Sequence, residues 1–315
     1  MKKILVTGAA GTIGHLVVKK LLEQEKYEIT ALDLKSNKAV KRFKVYKNKI
    51  NIIYGDISDS VLMRSLIKDH DVIIHLAGVI PPFADIKQEL SKSIDYDGTK
   101  NIIEQIKIIN PDCFLIFAST TCVYGRVDDN LELNVQSPVI VLEDDIFALT
   151  KLRCEETIKK ELNNYTIFRL PAVFNDLRVD APMYNIPLSS EVEFITALDA
   201  ATAFVNAVAK KRSVNKKIFN VVGGEKMRVN FRHFVIYILK HYGLSFRYFV
   251  TMFLVDKNFY SGWYSDGDVA NKILNFQSDT LDTYYKFIKR RSGKRVVQRI
   301  MAKPFIWMIK KNKKI

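Results

Sequence analysis

The 315-residue chain has only three cysteines, Cys113, Cys122 and Cys154, an odd number with no CxxC spacing. That excludes a disulfide framework and a paired-cysteine zinc site, so no metal is expected, and it suits a reducing, cytoplasmic compartment. No stretch reaches 18 consecutive apolar residues, so no segment reads as a membrane-spanning helix. The opening MKKILVTGAAG begins with two lysines after Met1, but its apolar run stops at Val6, too short for the core of a signal peptide. Internal repeats and low-complexity tracts are also missing. With 48% hydrophobic and 26% charged residues, disordered and fibrous classes are excluded. A chain of this length buries a sizeable core without disulfides or metals.

Acidic residues are absent from one region in particular. From residue 283 to the end there are twelve Lys or Arg and no Asp or Glu. The formal net charge is +15, yet before residue 283 the chain has 37 basic residues against 34 acidic ones. The basic character belongs to the tail, not to a face of the fold, which argues against nucleic-acid binding.

Short apolar runs are present at residues 4–6, 29–32, 50–54, 72–76, 114–118 and 166–170. Helical patterns separate most of them, at 13–22, 61–67, 94–109 and 147–162. Strands apolar on both faces, alternating with helices, predict βαβ units and a parallel sheet covered on both sides. The expected class is α/β, a doubly wound parallel Rossmann-type sheet with a small C-terminal substrate lobe. After Pro171 the order is less regular. A loop at 181–187, a helix at 199–210, a strand at 217–222 closed by Gly223-Gly224 and a helix at 231–242 are expected to build that lobe.

The strongest motif is Thr7-Gly8-Ala9-Ala10-Gly11-Thr12-Ile13-Gly14, set between an expected strand and an expected helix. Gly8 allows a tight turn, Gly11 lets the backbone approach a pyrophosphate, and Gly14 lets the helix pack on the sheet. The spacing is GxxGxxG, so the glycines alone are weak; the strand–turn–helix context and Asp33, at the end of the second strand, strengthen them. A carboxylate at 33 accepts from the adenosine ribose hydroxyls and repels a 2′-phosphate, which favours NAD over NADP, with Lys35 close enough to soften the preference. Asp56, after the third strand, suits either the adenine amino group or a turn before the next helix.

At this point the sequence resembles the NAD-dependent epimerase/dehydratase group of the extended short-chain dehydrogenase/reductase family, over roughly residues 1–290. TGAAGTIG resembles the family's TGxxGxxG loop, His75-Leu76-Ala77-Gly78 its HLAA stretch, and Asp95-Tyr96-Asp97-Gly98-Thr99 its NxxGT segment. Residues 117–125 resemble its SSxxVYG strand end, Phe168-Arg169-Leu170-Pro171 its RxxNVYGP stretch, and residues 194–200 its FVHVDDVA. The resemblance implies a cofactor set of Gly8, Ala10, Gly11, Thr12, Ile13, Gly14, Asp33, Asp56, Ile57, Leu76, Ala77, Gly78 and Lys151. It also implies a Ser/Thr–Tyr–Lys active site, with Thr120 at the Ser/Thr position and Lys151 at the Lys of YxxxK. The Tyr position holds Phe147, which has no proton to exchange. Losing a general acid/base typically costs about 10²–10⁴ in rate.

Further departures fall on the same side. Asp95 and Ala172 stand where the family has Asn, and residues 175–193 are short where relatives carry a nucleotide-covering insertion. Thr121, Cys122, Tyr124 and Tyr184 are the candidate substrate contacts, with Cys122 and Tyr184 also candidates to replace the phenol. Glu143, Asp144 and Asp145 suit the negative charge of a helix start. His75 suits a structural role, and the YxxxK at Tyr285 and Lys289 reads as chance. The expected function is hydride transfer on a sugar or nucleotide sugar with an altered acid/base; the alternative is a catalytically silent NAD-binding scaffold or sensor.

The expected divisions are 1–171 for the NAD-binding domain, 172–290 for a small substrate lobe interleaved with it, and 291–315 for a basic amphipathic tail. Residues 294–315 carry Phe305, Trp307 and four final lysines. They suit either an anionic membrane surface, which would place the protein at the inner membrane face, or docking on the body or a second subunit. The resemblance also implies a homodimer in which the helices at 94–109 and 147–162 pair across a two-fold axis.

Overall fold

A computed structural model describes residues 1–81, 84, 87–125, 132–174, 186–241, 246–248 and 262–292. Tyr184 and the tail at 294–315 lie outside the described residues. Seven strands, β1 (Lys2–Thr7), β2 (Tyr27–Asp33), β3 (Asn51–Tyr54), β4 (Val72–His75), β5 (Phe114–Thr120), β6 (Tyr165–Leu170) and β7 (Lys217–Asn220), form one sheet. Its order is β7-β6-β5-β4-β1-β2-β3, and every neighbouring pair is parallel. The order reverses between β1 and β4, so a crevice opens at the carboxyl ends of those strands.

The apolar runs explain the two covered faces. In β1, Ile4 and Val6 belong to one core and Leu5 to the other. The first core packs against α1 (Thr12–Leu22), α2 (Asn37–Phe43) and α6 (Ala197–Ala209); the second against α3 (Ser60–Lys68), α4 (Gly98–Ile109) and α5 (Ile146–Glu161). Phe114, Phe117 and Phe168 are fully buried in these layers, each burial contributing about 1.5–3 kcal/mol before opposing terms. Side-chain caps fix several helix starts: Ser36 accepts from the Ala39 amide, Asp59 from those of Val61 and Leu62, and Asp145 from that of Ala148.

Two expectations change in detail. The helix expected over 94–109 begins with a π-helical stretch, Lys92–Asp97, before turning regular at Gly98. Asp95 sits in that stretch, its side chain held by the Val79 amide and the Ser91 hydroxyl. The pieces expected to form the second lobe also divide. β7 extends the main sheet beside β6, and α6 lies against α1, because Ala200, Ala201, Phe204 and Val208 give it an apolar face that the sheet core covers. The lobe proper is smaller. In it Glu191–Glu193 pairs antiparallel with Arg228–Asn230, over a cluster that includes Phe174, Phe194, Phe231, Phe234 and Tyr284.

Candidate functional site

The crevice begins where β1 ends. Gly8 has φ +65°, and a Cβ there would stand 2.6 Å from the Ala77 nitrogen, so no other residue fits without moving the next strand's loop. The Gly8 carbonyl accepts the Gly11 amide at 2.8 Å. A Cβ on Gly14 would be 2.2 Å from that same oxygen. Gly14 therefore lets α1 close onto the loop backbone at Gly8 and Ala9. A Cβ on Gly11 would also meet the loop, at 2.9 Å from the Gly8 oxygen. No side chain caps α1, which leaves the first-turn amides of Thr12, Ile13 and Gly14 to an anion.

Asp33 closes β2, and its Oδ2 accepts the Ala10 amide at 2.7 Å. Burial raises its titration, while the Ala10 and Leu34 amides, Lys38 and Arg42 work the other way. Arg42 was not anticipated from sequence. From α2 its Nη1 donates to the Ala10 and Gly11 carbonyls, both at 2.6 Å, so the loop is held from below as well as by Asp33. Gly8, Ala10, Gly11, Asp33, Asp56, Ile57, Leu76, Ala77 and Gly78 all line one cleft of about 390 Å³. Asp56 lines this cleft and accepts the Ser58 amide at 2.9 Å in the turn before α3.

Beside Gly78, a residue of the cleft wall, Lys151 projects from α5 with 6% of its surface exposed. Its Nζ lies 4.9 Å from the centre of the Phe117 ring, and among the described residues it donates no hydrogen bond. Asp95 lies across Gly78 from it. Burial raises the Asp95 carboxyl; the Lys151 charge, the Val79 amide and Ser91 counter this. The Asp95 carboxylate thus has the Lys151 ammonium as a nearby opposite charge. His75 is structural: its ring nitrogens meet Thr7 Oγ1 at 2.7 Å and Thr99 Oγ1 at 2.9 Å. Burial, then the Lys151 charge, lower it to about 3, so it is neutral.

Thr120 ends β5, and its Oγ1 accepts the Cys122 amide at 3.1 Å, which leaves the hydroxyl proton available. Phe147 is buried in the first turn of α5, one turn before Lys151, and presents only carbon. Cys122 is half-buried, and Thr121 is buried beside Tyr264, with which it shares a hydrogen bond. Tyr124 is buried and its hydroxyl donates to Asn220 Oδ1 at 2.8 Å. Asp145 caps α5, while Glu143 and Asp144 are exposed.

A second buried pair also escaped the sequence reading. Arg169 on β6 reaches both oxygens of Glu155 on α5, at 3.0 and 2.7 Å, and Ser119 donates to Glu155 as well. The signal was an arginine inside the otherwise apolar strand YTIFRL, since a charge buried there needs a partner.

Comparison with known proteins follows the same lines. The model of the NAD dependent epimerase/dehydratase family matches residues 4–181. The UDP-N-acetyl-alpha-D-glucosaminuronate decarboxylase of Bacillus cytotoxicus is 32% identical over 130 residues, which is 40% of this chain and 38% of that protein. The chain thus spans well under half the length of that relative. The D-erythronate dehydrogenase of Cupriavidus necator is 22% identical over 256 residues, covering 70% of this chain and 76% of that one. Among solved structures, the UDP-glucuronic acid 4-epimerase of Bacillus cereus in complex with NAD superposes with a TM-score of 0.70 at 22% identity, over 92% of this chain and 99% of that one.

Proposed function

The chain belongs to the NAD-dependent epimerase/dehydratase family, and on that premise we propose that it binds NAD and transfers hydride to and from a sugar or nucleotide sugar, with the proton moved by a group other than residue 147. The observation that carries this reading is Lys151. An ammonium on a side chain only 6% exposed, with no hydrogen-bond acceptor among the described residues, is unfavourable on its own, and its place beside Gly78 of the cleft wall suits ligand hydroxyls. The glycine loop fits the rest of the dinucleotide, because a Cβ at Gly8 or Gly14 would collide with backbone.

When bound, NAD supplies the hydride acceptor. The chain's own residues would do the remainder. The first-turn amides of Thr12, Ile13 and Gly14 hold the pyrophosphate, Asp33 the adenosine ribose, and Lys151 the other ribose. Thr120 donates its free proton to the reacting oxygen. Phe147 cannot take a proton, and the Tyr124 hydroxyl is committed to Asn220. Cys122, just past Thr120, and Tyr184, outside the described residues, remain as proton carriers. The named activities of the relatives put UDP sugars and a sugar acid in the panel to be tested.

The second reading, an NAD-binding protein without turnover, is favoured by one observation, the burial of Phe147, a side chain with no proton to exchange. Product formation, followed by NMR with NAD and a panel of nucleotide sugars and D-erythronate, separates the two. Conversion by the wild type supports the enzyme. Conversion only by Phe147→Tyr supports the silent binder. If neither of these, nor Phe147→Tyr combined with Asp95→Asn, converts any of the panel while calorimetry detects NAD binding, the proposed substrate class is wrong.

Two associations are proposed beside the chemistry. The tail at 294–315 attaches to an anionic membrane surface, which co-sedimentation with phosphatidylglycerol vesicles, with and without those residues, would test. Pairing of α4 and α5 across a two-fold axis would bury the exposed Lys100, Glu104, Arg153 and Glu156, and light scattering would report a monomer if that pairing fails.

A further inference from the structure

Lys151 and Asp95 come from different elements and converge on Gly78. A Cβ at Gly78 would stand 3.3 Å from Lys151 Nζ and 2.4 Å from Asp95 Oδ1. That keeps ammonium and carboxylate within about 6 Å, the range in which opposite charges stabilise each other. Asp95 is 1% exposed and held firmly. Its carboxylate accepts Val79 N at 2.8 Å and Ser91 Oγ at 3.0 Å, and its carbonyl accepts Thr99 Oγ1 at 2.5 Å and Cys154 Sγ at 3.2 Å. Among the described residues Lys151 donates no hydrogen bond, and its Nζ lies over the Phe117 ring.

The other titratable groups packed here are uncharged near neutral pH. His75, from β4, is lowered to about 3. Cys154, from α5, is pushed up to about 11 by burial. Phe117 and Phe147 carry no charge at all. Among these described residues, Lys151 and Asp95 are then the ones that carry charge. A second anion beside the same ammonium would be opposed by like-charge repulsion and by the cost of burying it.

We propose that Asp95 is the fixed counter-ion of Lys151, so that this site carries its negative charge at position 95 instead of on an ionised phenol at position 147. Phe147 and Asp95 are then matched. An apolar ring stands where a second anion would be unfavourable, and the carboxylate stands where the single cation needs its partner. The inference rests on the family reading only in taking residue 147 as the phenol position. A consequence follows for any attempt to restore the phenol: Phe147→Tyr alone yields a phenol that ionises reluctantly, and Asp95→Asn is needed with it. The amide introduced by Asp95→Asn would still accept from Val79 and can donate to Ser91.

The test uses the full chain without cofactor or substrate, so it succeeds or fails independently of turnover. The protein is labelled at tyrosine ¹³Cζ, and the signal of the introduced phenol is assigned by difference from the Phe147 parent. The phenol in Phe147→Tyr/Asp95→Asn is expected to be at least about tenfold more acidic than in Phe147→Tyr. Equal acidity in the two overturns the proposal. If the double variant does not fold, ¹³C titration of the Asp95 carboxyl in the wild type and in Lys151→Met decides. Asp95 is expected to hold its proton at least about tenfold more tightly once the ammonium is gone; an unchanged titration overturns the counter-ion role.

Discussion

Lys151 and Glu155 sit one turn apart on α5, both buried and both charged, and their surroundings differ in kind. Glu155 is fully satisfied inside the protein, with a two-point contact from Arg169 and a third donor in Ser119. Lys151 faces a carboxylate several ångströms away and donates to nothing among the described residues. The difference separates what the fold uses for itself from what it holds in reserve for a ligand. The glycine loop repeats the division. Asp33 and Arg42 tie the loop backbone down, while the first amides of α1 are left without a cap.

The sharpest way to break this comparison is to remove each charge on α5. Glu155→Ala leaves the Arg169 guanidinium buried without its carboxylate, and one of its nitrogens, Nη1, already has no hydrogen-bond partner among the described residues. The expected cost is about 3–5 kcal/mol of unfolding free energy, read from urea denaturation. Lys151→Met is expected to cost clearly less stability but to weaken NAD binding by at least about tenfold, or ~1.4 kcal/mol, read by calorimetry. Equal losses of stability from the two variants would remove the distinction.

Gly14→Ala sharpens the loop side. Its Cβ would meet the Gly8 oxygen at 2.2 Å and the Ala9 Cα at 2.9 Å, both backbone, so the loop must shift. NAD affinity is expected to fall about 100-fold, or ~2.8 kcal/mol. Retention of tight binding would mean that the loop geometry is not what holds the dinucleotide.

The same residues mark how much of the molecule is legible in its sequence. The sheet, the glycine loop and Asp33 were legible because each imposes a constraint that few residues meet: apolarity on both faces, absence of a side chain, an acid at a strand end. The strand at 217–222 was legible too, but its place in the main sheet was not, since pairing with β6 depends on where the chain returns. Glu155 lies among Arg153, Glu156 and Lys159 and looks like one more charge on a wet helix face. Arg42 sits in a run with Lys38, Lys41 and Lys44, where nothing in the sequence distinguishes the cation that reaches the loop carbonyls. The partnership of Asp95 with Lys151 depends on a π-helical turn for which the sequence carries no signal.

Arg42 is the next measure of the comparison. Because it is half-buried and acts on carbonyls instead of the ligand, Arg42→Ala is expected to weaken NAD binding about three- to tenfold, or ~0.7–1.4 kcal/mol. Arg42→Lys, which can still reach one carbonyl, should recover part of that loss in the same titration. A variant with wild-type affinity would show that Asp33 alone holds the loop.

The smallest effect is a slope in pH at Asp33. Burial holds its carboxyl above the ordinary value of 3.8, despite the amides and cations around it. The folded protein thus keeps this proton more tightly than the unfolded chain does. The stability linked to it is fully present below pH 3.8 and is lost as pH rises through the raised folded value. Asp33→Asn removes that dependence, so in thermal melts the wild type should lose stability relative to the variant as pH rises over this window. NAD affinity should run the other way, because only the ionised carboxylate offers its full acceptor capacity to ribose hydroxyls. It should climb with pH in the wild type and stay flat in the variant. Opposed slopes would show a group kept charged at a cost to the fold for the sake of a ligand, whereas parallel slopes would place Asp33 with Glu155, among the charges the fold keeps for itself.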